Sequence, residues 1–88
     1  MKVLYLKSFL KDIQNLKDDV LKEKVLDVIN EIKNAQTLVE ISNIKKLKGH
    51  TEAYRLRIGK YRLGFYYNEN VVEFARFAKR EDIYKLFP

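Results

Sequence analysis

Cysteine and tryptophan are absent from this 88-residue sequence, and histidine and proline each occur only once. Without cysteine the chain can form neither a disulfide framework nor a thiolate metal site. A multi-histidine metal centre is excluded as well, because His50 has no second histidine to join it. We therefore expect a protein that works without a metal or another cofactor.

Long apolar runs are also missing. No run approaches the roughly 18 residues that cross a bilayer, and the apolar segment Val3–Leu6 lacks the small-residue cleavage site of a signal peptide. The sequence thus predicts a cytoplasmic protein with no membrane partner. Hydrophobic residues make up 47% of the chain, which is too many for a disordered protein. We expect one domain over residues 1–88, small enough for a wrapping partner to add much of its stability.

Positive charge is concentrated in the second half of the chain. Residues 1–44 contain seven lysines, no arginine and seven acidic residues, so residues 45–88 carry the whole net charge of +6. All five arginines lie in that half: Arg55, Arg57, Arg62, Arg76 and Arg80. A one-sided basic balance favours a polyanionic partner, although a solvated basic surface without a ligand would have the same composition.

The first half predicts an αα-hairpin after a short strand at Val3–Leu6. Ser8 can cap a first helix whose apolar residues share one face: Phe9, Leu10, Ile13 and Leu16. Asp18 or Asp19 can cap a second, longer helix with a broad apolar stripe: Val20, Leu21, Val25, Leu26, Val28, Ile29 and Ile32. We expect this hairpin to cover one face of a sheet. Residues 37–41 can add one short helical turn.

The second half predicts a meander of three antiparallel strands. Tyr54–Ile58 alternates strictly, and Gly59–Lys60 is a two-residue link typical of a type II′ hairpin, because glycine tolerates a positive φ at the first turn position. Tyr61–Tyr67 is the return strand, and Val71–Ala78 follows after a polar turn. Lys45–Gly49 is interpreted as a basic approach to the sheet, with His50 in the loop that follows.

The two-residue period of a strand predicts that the arginines share one face of this sheet. Arg55 and Arg57 point to one side of the first strand, and Arg62 and Gly64 point to one side of the second. On the third strand the period places Arg76 with three other residues: Phe74, Ala78 and Arg80. Such a face can bind phosphate through bidentate guanidinium groups. Gly64 is expected to let a ligand approach the backbone at its centre.

Four segments in this order resemble the RelE/ParE toxin family. They are a basic-Leu-basic-Gly loop at Lys46–Gly49, a Tyr-Arg-x-Arg strand at Tyr54–Arg57, a Gly-x-Tyr-Arg hairpin at Gly59–Arg62 and an Arg-x-x-x-Tyr ending at Arg80–Tyr84. With the two helices, the resemblance covers residues 1–88. It implies an α+β fold, with an N-terminal αα-hairpin packed on a small, curved, mainly antiparallel sheet and a short C-terminal helical turn.

The resemblance also implies an activity and a set of site residues. RelE-like members of the family are ribonucleases that cut messenger RNA in the decoding site of the ribosome. By this resemblance Arg62 and Arg80 lie beside the scissile phosphate, and Tyr84 takes the role of the family's C-terminal tyrosine. The resemblance also places Lys48, Arg55 and Arg57 at positions where the family has basic residues. The full set of predicted RNA-binding residues is Lys45, Lys46, Lys48, Arg55, Arg57, Lys60 and Arg76.

Two of these residues have a structural alternative. Tyr84 can be a packing residue beside Ile83, Leu86 and Phe87, and Arg76 can pair with Glu73 or Glu81 instead of a phosphate. The chemistry itself asks little of the protein, because RNA supplies its own nucleophile, the 2′-hydroxyl. The enzyme must orient that group, remove its proton and stabilise the phosphorane, for which no metal is required.

Other functions remain open from the sequence. A ParE-like toxin poisons DNA gyrase without nuclease chemistry, and a non-toxic relative would only bind RNA or sequester an antitoxin. Either kind of toxin requires a cognate antitoxin, whose helix we expect along the sheet or the αα-hairpin. The expected partners are therefore an antitoxin in a hetero-oligomer, messenger RNA and the ribosome.

Overall fold

The computed structural model describes all residues, 1–88, and orders them as a mixed α+β fold. The elements in chain order are β1 (Lys2–Tyr5), α1 (Lys7–Gln14), α2 (Asp19–Asn34), a 3₁₀ turn (Leu38–Glu40), β2 (Ile44–Lys46), β3 (Ala53–Ile58), β4 (Tyr61–Asn68), β5 (Val71–Lys79) and α3 (Arg80–Leu86). The five strands form one sheet in the order β1-β5-β4-β3-β2. Only β1 and β5 are parallel, so the predicted fold class is confirmed.

The predicted αα-hairpin covers one face of this sheet. Its core combines buried residues of α1 and α2 with the apolar side of β3, β4 and β5, among them Phe9, Val25, Ile32, Leu63, Phe65 and Phe74. Burial of these apolar groups is the main force that fixes the hairpin to the sheet. None of the helices is long and apolar enough to cross a membrane.

The two helix starts differ in how well the sequence predicted them. Asp18 caps α2 as expected, since its side chain accepts a hydrogen bond of 3.1 Å from the backbone nitrogen of Leu21. The predicted Ser8 cap is wrong, because α1 already begins at Lys7 and no side chain caps it. Ser8 instead donates its hydroxyl to the carbonyl of Ala75 on β5, at 2.7 Å.

The link between β3 and β4 has the predicted geometry. Ile58 pairs with Tyr61, which leaves Gly59 and Lys60 as a two-residue turn, and Gly59 has the positive φ of +59° that the first position requires. This tight turn sets the register of the two strands. Arg57 therefore lies directly opposite Arg62.

A β-bulge in β5 places Phe74 on a different face of the sheet from the predicted one. Gly64 pairs with Arg76 and Phe65 pairs with Phe74, so Ala75 is an extra residue between the two pairs. One extra residue reverses the alternation beyond it. The prediction that Phe74 and Arg76 share a face is therefore wrong: Phe74 packs in the hairpin core, whereas Arg76 lies on the side of Gly64.

A smaller core lies on the opposite face of the sheet, under α3. It is formed by Leu47, Ala53, Ala75, Ile83 and Phe87. Because β5 ends at Lys79 and α3 begins at Arg80, the helix leaves the sheet without a loop. The C-terminal helix thus returns over the face that carries the arginines.

Candidate nucleic-acid interface

Cations from three strands and one helix meet in a single pocket, which we call the arginine pocket. Strand pairing sets Lys45 opposite Arg55, and Arg57 opposite Arg62. The pocket has a volume of about 380 Å³ and is lined by Asn43, Ile44, Lys45, Arg55, Arg57, Arg62, Arg80 and Tyr84. No carboxylate lines it, so the like charges repel one another until an anion binds.

The guanidinium of Arg62 is held at the base of the pocket. Its NH1 atom donates to the carbonyls of Gly59, at 3.0 Å, and Tyr61, at 2.9 Å. Desolvation lowers the pKa of Arg62 from its usual value, and the neighbouring Arg80 and Arg57 cations lower the pKa further. A bound phosphate would relieve this repulsion.

Arg57 is oriented by Asn43, a residue that the sequence analysis did not single out. The NH2 atom of Arg57 donates to Oδ1 of Asn43 at 3.1 Å, and the backbone nitrogen of Arg57 donates to the carbonyl of Asn43 at 3.0 Å. Asn43 has a φ of +67°, which asparagine tolerates better than most residues. An asparagine just before a basic strand is the local signal that could have identified it.

Tyr84 points into the pocket and not into the core. Its side chain is 60% exposed, whereas the neighbouring Ile83 and Phe87 are buried and do the packing. The Cζ atom of Arg55 lies 4.4 Å from the centre of the Tyr84 ring, a cation–π contact. The guanidinium of Arg80, and then that of Arg55, hold the pKa of the Tyr84 phenol below its usual value. The phenolate is therefore favoured here more than in water.

A second basic hollow adjoins the arginine pocket. Lys48 and His50 line it together with Lys45, Arg55 and Tyr84, which belong to both. The Nε atom of Arg55 is buried at this border without a hydrogen-bond partner. The structure thus brings Lys48, predicted to bind RNA, next to the arginines.

Four of the predicted RNA-binding residues do not line the arginine pocket: Lys48, which lines the adjoining hollow, and Lys46, Lys60 and Arg76. Lys46 pairs with Tyr54 and lies on the hairpin side of the sheet, on the face opposite the arginines. Its role in RNA binding stays a prediction. Successive residues of a strand face opposite sides, and Lys45 takes the pocket side. Lys60 is exposed in the turn between β3 and β4, away from the pocket lining.

Arg76 is occupied by an acidic residue from the first half of the chain. Its Nε atom lies 2.8 Å from Oδ2 of Asp12 and its NH2 atom 3.1 Å from Oδ1. The hydrogen bond from Asp12 raises the pKa of Arg76. Neither Glu73 nor Glu81, the partners considered from the sequence, makes this ion pair. Arg76 is therefore engaged in an ion pair within the protein, and its role in RNA binding stays a prediction.

Gly64 also has a different role from the one predicted. A Cβ atom at this position would lie 2.6 Å from two ring atoms of Phe87, Cγ and Cδ2. The space beside the Gly64 backbone is thus filled by the ring of Phe87 and is closed to a ligand.

The structure contains no group of three or more His, Cys, Asp or Glu side chains arranged to hold a metal ion.

Comparison with known proteins identifies the family. No protein-family model matches the chain. The protein named Toxin RelE3 of Methanocaldococcus jannaschii is 38% identical over 100% of both chains, and the Putative toxin RelE1 of the same organism is 35% identical over 90% of this chain and 89% of its own.

Solved structures agree with these relatives. The toxin of the RelB–RelE antitoxin–toxin complex from Methanococcus jannaschii superposes with a TM-score of 0.82 and 33% identity, over 97% of this chain and 99% of that one. The RelE–RelB complex from Pyrococcus horikoshii shares the fold, with a TM-score of 0.73 at 23% identity over 90% of this chain and 93% of that one. This chain belongs to the RelE family of toxins of toxin–antitoxin systems.

Proposed function

We propose that residues 1–88 form a single toxin domain that inhibits translation by cutting messenger RNA on the ribosome, without a metal or another cofactor. The observation that carries this proposal is the arginine pocket, in which Arg62 and Arg80 adjoin an exposed Tyr84 whose pKa is lowered. A cationic pocket with a group able to accept a proton is what cleavage by an RNA 2′-hydroxyl needs.

In this proposal each pocket residue has a distinct task. Arg62 and Arg80 bind the scissile phosphate and stabilise the charge that grows on the phosphorane. The Tyr84 phenolate accepts the proton of the 2′-hydroxyl as its oxygen attacks phosphorus. The bond between phosphorus and the 5′-oxygen then breaks, and the leaving oxygen takes a proton from water. The products are a 2′,3′-cyclic phosphate and a 5′-hydroxyl end.

Tyr84 gives the reaction a characteristic pH dependence. Because its pKa is lowered by Arg80 and Arg55, the phenolate fraction rises with pH and reaches its midpoint below about pH 10, the ordinary pKa of tyrosine. We expect the single-turnover cleavage rate to rise and level off in the same way. Tyr84→Phe should lower the cleavage rate by about 10²-fold and abolish its increase with pH. A Tyr84→Phe variant that keeps the same pH profile would remove Tyr84 from the role of base.

Lys45 and Lys46 form a matched pair for testing which face binds RNA. They are neighbours on β2 with the same charge, but Lys45 faces the arginines and Lys46 faces the αα-hairpin. We expect Lys45→Ala to lower the salt dependence of binding to a single-stranded RNA, with a loss of about 0.7 in the logarithmic slope. Lys46→Ala should leave that slope unchanged. Equal effects of the two variants would argue against the arginine face as the binding surface.

The proposal includes a cognate antitoxin. The solved relatives are described as antitoxin–toxin complexes. In this chain an apolar groove of about 540 Å³ runs between α1 and α2, and Leu10 and Leu26 on its rim are 51% and 56% exposed. An amphipathic helix of an antitoxin would bury these side chains. Together with the excess of positive charge on the toxin, this supports a toxin–antitoxin hetero-oligomer.

The deciding experiment maps the 5′ ends of a messenger RNA in a reconstituted translation system with the purified protein. Reactions with and without ribosomes are compared, with EDTA present in a ribosome-free control. Cuts that are in phase with codons and that occur only with ribosomes would support the proposal. Intact RNA together with DNA breaks in the presence of gyrase would replace it with the gyrase-poisoning function.

A further inference from the structure

Gly64 occupies the centre of β4, where glycine is unfavourable. A glycine in a strand interior is less stable than alanine by roughly 0.5–1 kcal/mol. The backbone does not require it here, because the glycines with positive φ are Gly49 and Gly59. What Gly64 provides is space, since any Cβ would meet the Phe87 ring at 2.6 Å.

Phe87 fills that space completely. It is the first residue after α3, its side chain is 3% exposed, and its ring centre lies 5.0 Å from that of Tyr66. Its backbone nitrogen donates to the carbonyl of Ile83 at 2.9 Å, which ties the ring to the last turn of the helix. The contact therefore joins the C-terminal end of α3 to the middle of the sheet.

α3 cannot hold its own position. It has seven residues and no side-chain cap at its start, and isolated helices shorter than about 12 residues are marginal in water. Its first residue follows β5 directly, and the nitrogen of Arg80 donates to the carbonyl of Lys60 in the turn between β3 and β4, at 2.9 Å. Farther along, Ile83 of the helix and Phe87 just after it are buried in the smaller core and hold the helix to the sheet.

The same helix carries two residues of the arginine pocket. Arg80 and Tyr84 lie four residues apart on one side, and Ile83 and Phe87 lie four residues apart on the other. Any tilt of α3 away from Gly64 would move Tyr84 off the guanidinium of Arg55. A displacement of about 1 Å in a catalytic group can cost 10²-fold in rate.

We propose that Phe87, seated on Gly64, is a positioning residue that clamps α3 to the sheet and so places Tyr84 and Arg80 against Arg55 and Arg62. Phe87 touches no substrate and acts through Tyr84. Its catalytic consequence rests on the proposed RNA cleavage, but the placement of Tyr84 does not, and the two can be measured separately.

The test is a double-mutant cycle with Gly64→Ala, Phe87→Ala and the combined variant. Gly64→Ala should displace the ring and reduce the cleavage rate by about 10²-fold. Phe87→Ala should have a similar effect, because the clamp is lost. In the combined variant the alanine methyl meets no ring, so Gly64→Ala should add nothing further. Two effects that simply add would overturn the ring-on-glycine contact.

The placement of Tyr84 is measured without any enzyme activity, by NMR titration of ring-labelled tyrosine, with Tyr84→Phe to assign the signal. In the wild-type protein the Arg80 and Arg55 cations hold this pKa down. In both single variants the contribution of Arg55 should be lost, and the pKa should rise part of the way towards the ordinary value of about 10, because Arg80 moves with Tyr84 on α3. A pKa that stays at the wild-type value in folded Phe87→Ala would overturn the proposal.

These readouts separate the possible failures. If Gly64→Ala does not fold, Phe87→Ala, which introduces no clash, still decides through its Tyr84 titration. If the wild-type protein does not cut RNA but the tyrosine pKa shifts as expected, the clamp stands and the proposed function fails. Circular dichroism and RNA binding near the wild-type level are required of each variant, because the side chains of Arg55, Arg57 and Arg62 are kept in all of them.

Discussion

Replacing both Arg62 and Arg80 by alanine is expected to reduce RNA cleavage by at least about 10³-fold without unfolding the protein. Removing one preorganised donor from a developing oxyanion typically costs 10²–10³-fold in rate. The two guanidinium groups enter the same pocket from β4 and from the start of α3. Neither can substitute for the other, because Arg62 is held by the carbonyls of Gly59 and Tyr61 while Arg80 is carried by the helix.

The stability of this variant provides an independent check. Arg62 lies directly opposite Arg57, and its pKa is lowered by Arg80 and Arg57 after desolvation. Like charges placed opposite one another destabilise a sheet. The free energy of unfolding of Arg62→Ala/Arg80→Ala, measured in urea, should therefore lie within about 1 kcal/mol of the wild-type value. A large loss of stability would assign the arginines to the fold and not to the site.

A matched control removes the same charge from another surface. Lys17 and Lys33 are both exposed and belong to the αα-hairpin region, so Lys17→Ala/Lys33→Ala lowers the net charge equally. This control should cut RNA at nearly the wild-type rate. Arg62→Lys/Arg80→Lys keeps the charge but loses the bidentate fork, and we expect a rate between the two alanine variants. If the cleavage rate of Lys17→Ala/Lys33→Ala falls as far as that of Arg62→Ala/Arg80→Ala, only net charge matters.

Asp12→Ala is expected to have the largest effect on stability, a loss of about 2–4 kcal/mol in the free energy of unfolding. The Asp12 carboxylate binds two nitrogens of Arg76 and also accepts from the backbone nitrogen of Phe77 at 2.9 Å. The two side chains are 16% and 28% exposed, so their charges are partly shielded from water. Without Asp12, a charged group and a strand N–H lose their partner together.

The ion pair lies at an unpaired edge of the sheet, which explains its large effect on stability. β1 ends at Tyr5, so the part of β5 beyond Phe74 has no neighbouring strand on that side. α1 takes its place: Ser8 binds the carbonyl of Ala75, and Asp12 binds the nitrogen of Phe77. Side chains of a helix thus satisfy the backbone groups of a sheet edge.

Urea denaturation measures the effect, with Glu73→Gln as the control. Glu73 lies on the same strand and was an alternative partner from the sequence, but it makes no ion pair with Arg76. We expect Glu73→Gln to change stability by less than about 0.5 kcal/mol. For a domain of this size, each kcal/mol lost from Asp12→Ala should lower the melting temperature by roughly 4–8 °C. Equal melting temperatures for the two variants would contradict the assignment of Asp12.

Local patterns in the sequence were enough for the fold class and for much of the pocket. The alternation at Tyr54–Ile58 and the Gly59–Lys60 turn place Arg55, Arg57 and Arg62 on one face, and both were confirmed. The cap at Asp18 was predicted in the same way. These features depend on neighbours within a few residues, where side-chain period and turn chemistry are decisive.

Tertiary structure alone decided the partners that come from distant parts of the chain. Asp12 meets Arg76 across 64 residues, and the bulge at Ala75 places Phe74 on the face opposite Arg76, whereas the strand period predicted one shared face. Gly64 is read from the sequence as an opening for a ligand, but the ring of Phe87 occupies it. Periodicity determines which way a side chain points. It does not say what stands opposite, because that depends on how the chain closes on itself.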